Sequence, residues 1–240
     1  MKAADVKNEL KSRADPEKAV IQQRFFKTGT GYYGEGDIFI GVLVPQSRQI
    51  AKKFCQLPLE EVRTLLYSRI HEERLVALLI LAWRYISLSS SMEKEKIVQF
   101  YIEHIKQVNN WDLVDLSAPN ILGAHLVGRE ETRPLLYRLA KSENIWERRI
   151  AILATLHFIR NGAFSETLKI AEMLLHDRHD LIHKAVGWML REVGKRDAAA
   201  EEAFLEKHCD VMPRIMLRYA IERLPESKRL RYKKNPIGKP

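Results

Sequence analysis

A tryptophan and an aspartate stand four residues apart in the stretch QVNNWDLVDL, at Trp111 and Asp115. On an α-helix this spacing puts both side chains on one face, whereas Asp112 is turned about 100° away. An ionised carboxylate and an indole ring both attract positive charge, so the pair could act on a cationic group. Taken alone, the pair is more simply explained by a core tryptophan beside a solvated aspartate.

A second tryptophan, Trp188 in KAVGWMLREV, has Lys184 four residues before it and Arg191 three residues after it, all on one helical face. Buried unpaired charge is costly, so we favour the interpretation of this face as a recognition surface over its interpretation as a packed surface. Gly187 beside the ring leaves room for close approach. The alternative is a helix edge from which long cationic side chains reach solvent.

A third tryptophan, Trp146 in ENIWERRIAIL, shares a face with Arg149, while Arg148 points elsewhere. Trp146 is predicted to pack near the start of its helix, and Arg149 to line the inner surface of a repeat.

Composition favours a soluble protein with a polyanionic partner. The chain has 240 residues, 46% of them hydrophobic, and a net charge of +9, with a sequence pI of about 9.5. Nucleic acid is the commonest polyanionic partner, but charge alone fits a merely basic soluble protein equally well. No membrane span or signal segment is evident, and Cys55 and Cys209 match no metal spacing, so reduced thiols and a cytoplasmic location are expected.

No cofactor or metal site is predicted. The glycine-rich stretch TGTGYYGEGD at 28–37 lacks a preceding strand and a following Lys-Ser/Thr, so it is interpreted as a loop and not as a phosphate-binding motif. The histidines His176, His179 and His183 have suggestive spacing, but no acidic residues complete a ligand set.

Helical periodicity runs through nearly the whole chain, and no alternating strand pattern recurs. The sequence predicts an all-α fold with one domain over 1–225 and a basic tail over 226–240, which is either a disordered end or an extra phosphate contact. The predicted helices are 3–13, 16–27, 46–54, 58–67, 71–87, 92–107, 110–116, 118–127, 132–141, 143–160, 164–175, 179–195, 198–207 and 211–223.

The helices form a repeat. Segments that begin at Glu72, Glu147, Leu181 and Met212 each place a basic residue before an apolar run, at Arg74, Arg149, Lys184 and Arg214. The segments begin 75, 34 and 31 residues apart, about two repeat lengths and then about one each. Spacing near 35–40 residues is typical of HEAT or armadillo repeats, which stack into a superhelical solenoid with a concave inner surface. A row of cations on a concave wall suits a duplex backbone, and it also suits an acidic protein tail.

Four stretches in order, FFKTGTGYYGEGDIFIGVLVPQSRQIAKKF, NNWDLVDLSAPNILGAHL, SENIWERRIAIL and HKAVGWMLREVGKRD, resemble the AlkD family of DNA alkylation-repair glycosylases. The resemblance extends from Pro16 to the last predicted helix. It implies HEAT-like repeats that hold duplex DNA in a concave basic groove. It also implies excision, without a metal, of purines alkylated at N3 or N7. The protein is expected to be a monomer.

The resemblance also implies residue roles. The family's catalytic aspartate matches Asp115, its two groove tryptophans match Trp111 and Trp188, and a groove arginine matches Arg149. A DNA-approaching tyrosine of the family falls at Phe25, and a polar residue falls at Leu43, so contacts near the N-terminus are expected to differ. The DNA-binding set expected here is Arg149, Lys184, Arg191, Phe25, Lys27 and Arg48. Two rival functions stay open, namely a non-catalytic HEAT-repeat protein that binds damaged or branched DNA, and a scaffold for an acidic protein.

Overall fold

The structure is a computed structural model that describes residues 1–130 and 133–233. Over these residues the chain is helical, with no strand and one isolated parallel bridge between Ile38 and Ile70. The all-α prediction is therefore confirmed. The chain forms two compact units, the first over Met1–Ile121 and the second beginning at Leu122. The predicted single domain over 1–225 and the predicted solenoid with its groove stay predictions.

In the first unit, α5 is the buried centre, and α1, α3, α4 and α7 pack against it. Its apolar run LVALLILA is buried on nearly every side, which is why its sequence shows little polar face. The helices of this unit are α1 (Ala3–Lys11), α2 (Pro16–Phe25), α3 (Val44–Lys53), α4 (Leu59–Leu66), α5 (His71–Ser87), α6 (Ser91–Glu103), a 3₁₀ turn (Ile105–Gln107) and α7 (Trp111–Ser117).

A π-helical turn, Pro119–Gly123, leads into the second unit, in which α10 and α12 pack side by side. The helix α9 packs on α10, and α14 packs on α12. The helices of this unit are α8 (Ala124–Leu126), α9 (Arg133–Ala140), α10 (Ile145–Arg160), α11 (Ser165–Met173), α12 (Asp180–Gly194), α13 (Ala198–His208), α14 (Arg214–Ala220), a 3₁₀ turn (Ile221–Arg223) and α15 (Glu226–Lys233).

The observed helices follow the predicted ones closely, with two differences. The predicted helix at 118–127 is the π-helical turn followed by the short α8. The segment predicted as a basic tail begins with α15, whose Tyr232 is buried and whose Lys228 and Arg231 pair with Glu202 and Glu206 of α13. The remainder of that segment, 234–240, lies outside the described residues.

Helices α5 and α10 begin with the same local arrangement. The Ser68 and Ser142 hydroxyls each accept the backbone N–H two residues later, at 3.0 Å. Arg74 and Arg148 each donate to the carbonyl of the serine six residues earlier, at 2.9 Å. The internal repeat therefore aligns Arg74 with Arg148, one residue away from the register that equated Arg74 with Arg149.

Both of these arginines are also held by a carboxylate. Arg74 donates to Asp37 at 2.6 Å, and Arg148 donates from Nε to Asp177 at 2.6 Å. Arg74 is 3% exposed, so it belongs to the interior of the first unit. The predicted inner row of cations does not include Arg74, because its charge is used by the fold.

The segment that follows the glycine-rich loop is anchored to the start of α5. The buried Glu72 carboxylate accepts the backbone N–H groups of Ile40 at 3.0 Å, Gly41 at 2.9 Å and Val42 at 3.2 Å. Gly41 has a φ of 87°, and a Cβ there would lie 2.0 Å from the carbonyl oxygen of Asp15. Glycine is therefore required at this position both by conformation and by space.

His71, the first residue of α5, joins three parts of the first unit. Its Nδ1 lies 3.1 Å from Asp37 and its Nε2 lies 2.8 Å from Asp112 of α7. Burial disfavours the charged ring, but Asp112 and Asp37 outweigh it and raise the pKa of His71 to about 8. Burial likewise opposes ionisation of Asp37, but His71, Arg74 and Asn110 hold the pKa of Asp37 below its usual range.

The pKa of His71 makes stability depend on pH in one direction. Because the folded pKa of about 8 lies above the ordinary 6.5, the stabilisation is complete below pH 6.5 and is lost as pH rises through 8. We expect the free energy of unfolding to fall by about 2 kcal/mol over that rise, since one pKa unit corresponds to about 1.4 kcal/mol. Urea unfolding at several pH values measures this loss.

The control for this prediction is His71→Gln, which cannot titrate. Subtracting its curve removes contributions common to both proteins, such as that of Glu201, whose pKa burial raises to about 7. Parallel curves for the parent and the variant across this pH range would contradict the assignment of the charge to His71.

Candidate functional site

The helix α7 presents Trp111 and Asp115 together. Both side chains are half-buried, while the residues between them, Asp112 to Val114, are buried. The accessible side of α7 is therefore the one that the four-residue spacing predicts. Asn110 fixes where the helix begins, because its side-chain oxygen accepts the N–H of Trp111 at 2.8 Å and its amide donates to Asp37 at 3.0 Å.

Aromatic rings hold Trp111 in place. Phe26 stacks on the indole with ring centroids 5.0 Å apart and planes 7° apart. Phe25 meets the same indole edge-on at 5.8 Å and is 64% exposed. Such pairs prefer offset or edge-on geometry and restrict one another's motion. Phe25, expected from sequence to contact DNA, therefore stands beside Trp111 with most of its ring accessible.

The other aspartate of α7 has a different environment. Asp112 is 6% exposed, accepts from His71 Nε2, and accepts the N–H of Leu113 at 2.8 Å. The prediction that Asp112 and Asp115 lie on different faces is consistent with this burial. Asp112 joins α7 to α5, so loss of its charge would loosen the start of α7, and Asp112 cannot serve as a neutral comparison for Asp115.

Two more residues of the expected DNA-binding set lie on the surface of the first unit. Lys27 is exposed, has a φ of 53°, and places Nζ 5.9 Å from the centroid of Tyr32. It lines an open cavity of about 470 Å³ together with Arg24 and Tyr32. Arg48 is exposed on α3. Both cations are accessible to a polyanion.

In the second unit, α12 carries Lys184, Trp188 and Arg191 on one side, and all three are half-buried. Trp188 donates from Nε1 to Glu192 at 3.2 Å, and Lys195 donates to the same carboxylate oxygen at 2.6 Å. Arg191 pairs with Glu222. Among the described residues no carboxylate forms an ion pair with Lys184, so its charge is available to a partner.

Gly187 has a role other than the one its position beside Trp188 suggested. It is buried, and a Cβ there would lie 2.4 Å from the carbonyl oxygen of Met216 and 2.6 Å from Cβ of Tyr219. The close approach that glycine permits is that of α14. This packing fixes the back of α12 and thereby sets the direction in which Trp188 points.

Arg149 differs from the exposed groove cation that the repeat pattern suggested. It is 5% exposed and donates from Nη1 to the carbonyl of Leu181 at 2.6 Å. The guanidinium thus supports the first turn of α12, three residues before Lys184. Trp146 is 8% exposed near the start of α10, as its predicted packing role requires.

The residues that sequence reasoning missed are the buried charges behind α7. Asp37, His71 and Glu72 were placed only in a loop and at a helix start, because nothing in the local pattern indicates their burial. The only signal is that charged residues occupy the first turn of a very apolar helix. In the described part of the chain, no cluster of three or more His, Cys, Asp or Glu residues could hold a metal ion.

None of the helices in the described residues combines the length and the apolar composition that crossing a bilayer requires.

Comparison with solved structures supports the fold. A predicted DNA alkylation repair enzyme from Enterococcus faecalis aligns with a TM-score of 0.71 at 19% identity, over 89% of this chain and 98% of that chain. AlkD2 from Streptococcus mutans aligns with a TM-score of 0.56 at 15% identity, over 87% of this chain and 98% of that chain. At these identities the likeness concerns the fold alone.

Comparison at the level of sequence identifies the family. No curated protein matches the chain significantly. The model of one family, described as DNA alkylation repair enzyme, matches residues 6–224, which span both units and include every candidate site residue. The chain therefore belongs to the DNA alkylation repair enzyme family.

Proposed function

We propose that this protein is a DNA glycosylase that excises purines alkylated at N3 or N7 from duplex DNA. The proposal is based on the accessible face of α7, on which Asp115 lies one helical turn from Trp111. The opposite face of α7 is held in place by buried charges. Membership in the DNA alkylation repair enzyme family supports the class of substrate.

The chemistry needs one well-placed carboxylate. Alkylation at N3 or N7 makes the purine cationic, so the base leaves with the electron pair of the C1′–N bond and departs as a neutral molecule. Positive charge develops on the deoxyribose as that bond breaks. The Asp115 carboxylate stabilises this oxocarbenium charge, orients the water that bonds to C1′, and accepts the proton which that water loses. No metal or cofactor takes part in these steps.

The aromatic and cationic residues bind the substrate in this proposal. Trp111 and Trp188 offer electron-rich faces to the cationic nucleotide and to the sugars of the strand. Lys27, Arg48 and Lys184 neutralise phosphates, as Arg191 can after exchanging Glu222 for a phosphate. Arg149 acts by supporting the first turn of α12. The protein acts as a monomer on duplex DNA.

The first prediction concerns Asp115→Asn, which keeps the size of the side chain and removes its charge. We expect single-turnover release of 7-methylguanine to fall by about 10²–10³, the usual effect of one positioned electrostatic group. Duplex binding should stay the same or tighten, because repulsion from phosphate is relieved. The loss should be smaller for 3-methyladenine, which depurinates more readily by itself.

The matched control is Asp210→Asn, which removes the same charge from an exposed position after α13. Its release rate should equal that of the parent. Equal rates for Asp115→Asn and the parent would remove the catalytic role of Asp115. Tight duplex binding by a parent protein that releases no base would instead favour a non-catalytic protein that binds damaged DNA.

The second prediction concerns Lys184→Ala. Loss of one phosphate contact should weaken binding to alkylated and unmodified duplexes alike. The plot of log affinity against log salt concentration should become shallower, by about one unit of slope. The control is Lys207→Ala, which removes an exposed lysine that pairs with Glu172. An identical slope for the parent and Lys184→Ala would contradict the phosphate contact. Arg149→Ala is a weaker test, because that buried side chain also supports α12.

The third prediction concerns Trp188→Ala. Because the half-buried indole is proposed to contact DNA, its truncation should lower DNA affinity or the rate of base release. Most of the free energy of unfolding should be retained. The control is Trp83→Ala, which removes a tryptophan that is 46% exposed on α5. A loss of about 3–5 kcal/mol in stability, as for a buried aromatic residue, would show that Trp188 is a packing residue.

A further inference from the structure

We propose that His71 is a positioning residue for the reaction, whose imidazolium fixes the first turn of α7 and with it Trp111 and the Asp115 carboxylate. The inference rests on the proposed function and adds to it a means by which pH controls the same site. His71 lies at 1% exposure and so touches no substrate.

The geometry requires a charged ring. Both ring nitrogens face carboxylate oxygens, with Nδ1 3.1 Å from Asp37 and Nε2 2.8 Å from Asp112. An ionised carboxylate can only accept, so both contacts are hydrogen bonds only when both nitrogens carry a proton. A neutral ring can donate to just one of the two, and leaves the other carboxylate facing a lone pair.

The other charged groups near the His71 ring already have hydrogen-bond partners. Besides Asp37 and Asp112, the charged groups near the ring are Arg74, which donates to Asp37, and Glu72, which is occupied by the backbone of Ile40 to Val42. Arg74 satisfies one oxygen of Asp37, and Asn110 donates to the other. Within the described residues, His71 is the only cation that pairs with Asp112, so loss of the His71 proton falls chiefly on α7.

The network reaches the accessible side of α7 by two routes. Asp112 directly follows Trp111 in the chain, and Asn110, the residue that caps α7, is bonded to Asp37. The His71 ring also stacks on Phe39 at 4.3 Å, and Phe39 stacks on Phe26 at 4.6 Å. Phe26 in turn stacks on the Trp111 indole. A change in the His71 contacts therefore alters both the cap and the aromatic stack that orient Trp111.

The consequence for the reaction is a loss of positioning on the alkaline side. Displacement of a catalytic group by about 1 Å can cost two orders of magnitude in rate. Above the pKa of His71, about 8, the Asp115 carboxylate is held less firmly. Binding to the DNA backbone, which relies on other residues, should change much less than the rate of the chemical step.

The test measures single-turnover base release from alkylated duplex DNA at saturating protein, from about pH 6.5 to about pH 9.5, with protein-free DNA as the blank. We expect the parent rate to fall by roughly tenfold or more across this range, with an apparent pKa near 8 and little change in affinity. His71→Gln should release base slowly at every pH, with a flat profile. The matched control His208→Gln removes another buried histidine, in the second unit, and should keep the parent profile.

A second variant and a second signal keep the inference testable. Asp112→Asn removes the charge that most favours the imidazolium and should move the alkaline fall to lower pH. The tryptophan fluorescence of the parent, after subtraction of that of Trp111→Phe, should change with the same apparent pKa without DNA. This signal decides the inference even if the parent releases no base, an outcome that would overturn the proposed function instead.

A purely structural role for His71 gives a different set of results. The His71→Gln protein would then unfold at lower temperature but, when folded, would release base at the parent rate. The parent profile would be flat from neutral pH to about pH 9 and the Trp111 fluorescence would not titrate. A parent release rate for folded His71→Gln, a flat pH profile of the parent, or a Trp111 fluorescence that does not titrate would each overturn the inference.

Discussion

One imidazolium held between two buried carboxylates is the interaction on which the first unit depends. The ring of His71 connects the segment at Asp37, the start of α5 and the start of α7. Buried charges are stabilising only when each is paired and bonded, and removal of one partner typically costs about 3–5 kcal/mol. The buried contacts of α7 thus determine how its accessible face is oriented. The position of Asp115 follows from what Asp112, three residues earlier, is bonded to.

In the second unit, two glycines allow the close packing that surrounds the candidate residues. Gly187 lets α14 approach α12, and Gly123 lets the π-helical turn approach α10, where a Cβ would lie 2.1 Å from the carbonyl oxygen of Ala154. Such close packing is insensitive to pH and intolerant of any larger residue. Close packing of α14 on α12 therefore constrains Trp188, which also donates to Glu192, whereas Trp111 is held by a titratable network.

Sequence patterns predicted the helices well, because an apolar face repeats with helical period whatever the helix packs against. They also placed Trp111 and Asp115 together, since that relation is local to α7. They did not predict which charged side chains are buried. Arg74 and Arg149 look like exposed cations in the sequence, but their partners, Asp37 and the carbonyl of Leu181, are more than thirty residues away. The helix α15 was not predicted because it has no apolar face. Ion pairs and one buried tyrosine, Tyr232, attach it to the rest of the unit.

The glycine-rich loop lies between two firmly held points. Phe26 on one side is stacked between Trp111 and Phe39, and on the other side Asp37 and the backbone from Ile40 to Val42 are bonded to α5. Doubling the length of such a loop costs only about 0.6 kcal/mol in closure entropy. Evolution can therefore lengthen, shorten or recharge the segment from Thr28 to Gly36 without displacing α7. A lineage could diversify what this edge of the protein recognises while inheriting its chemistry unchanged.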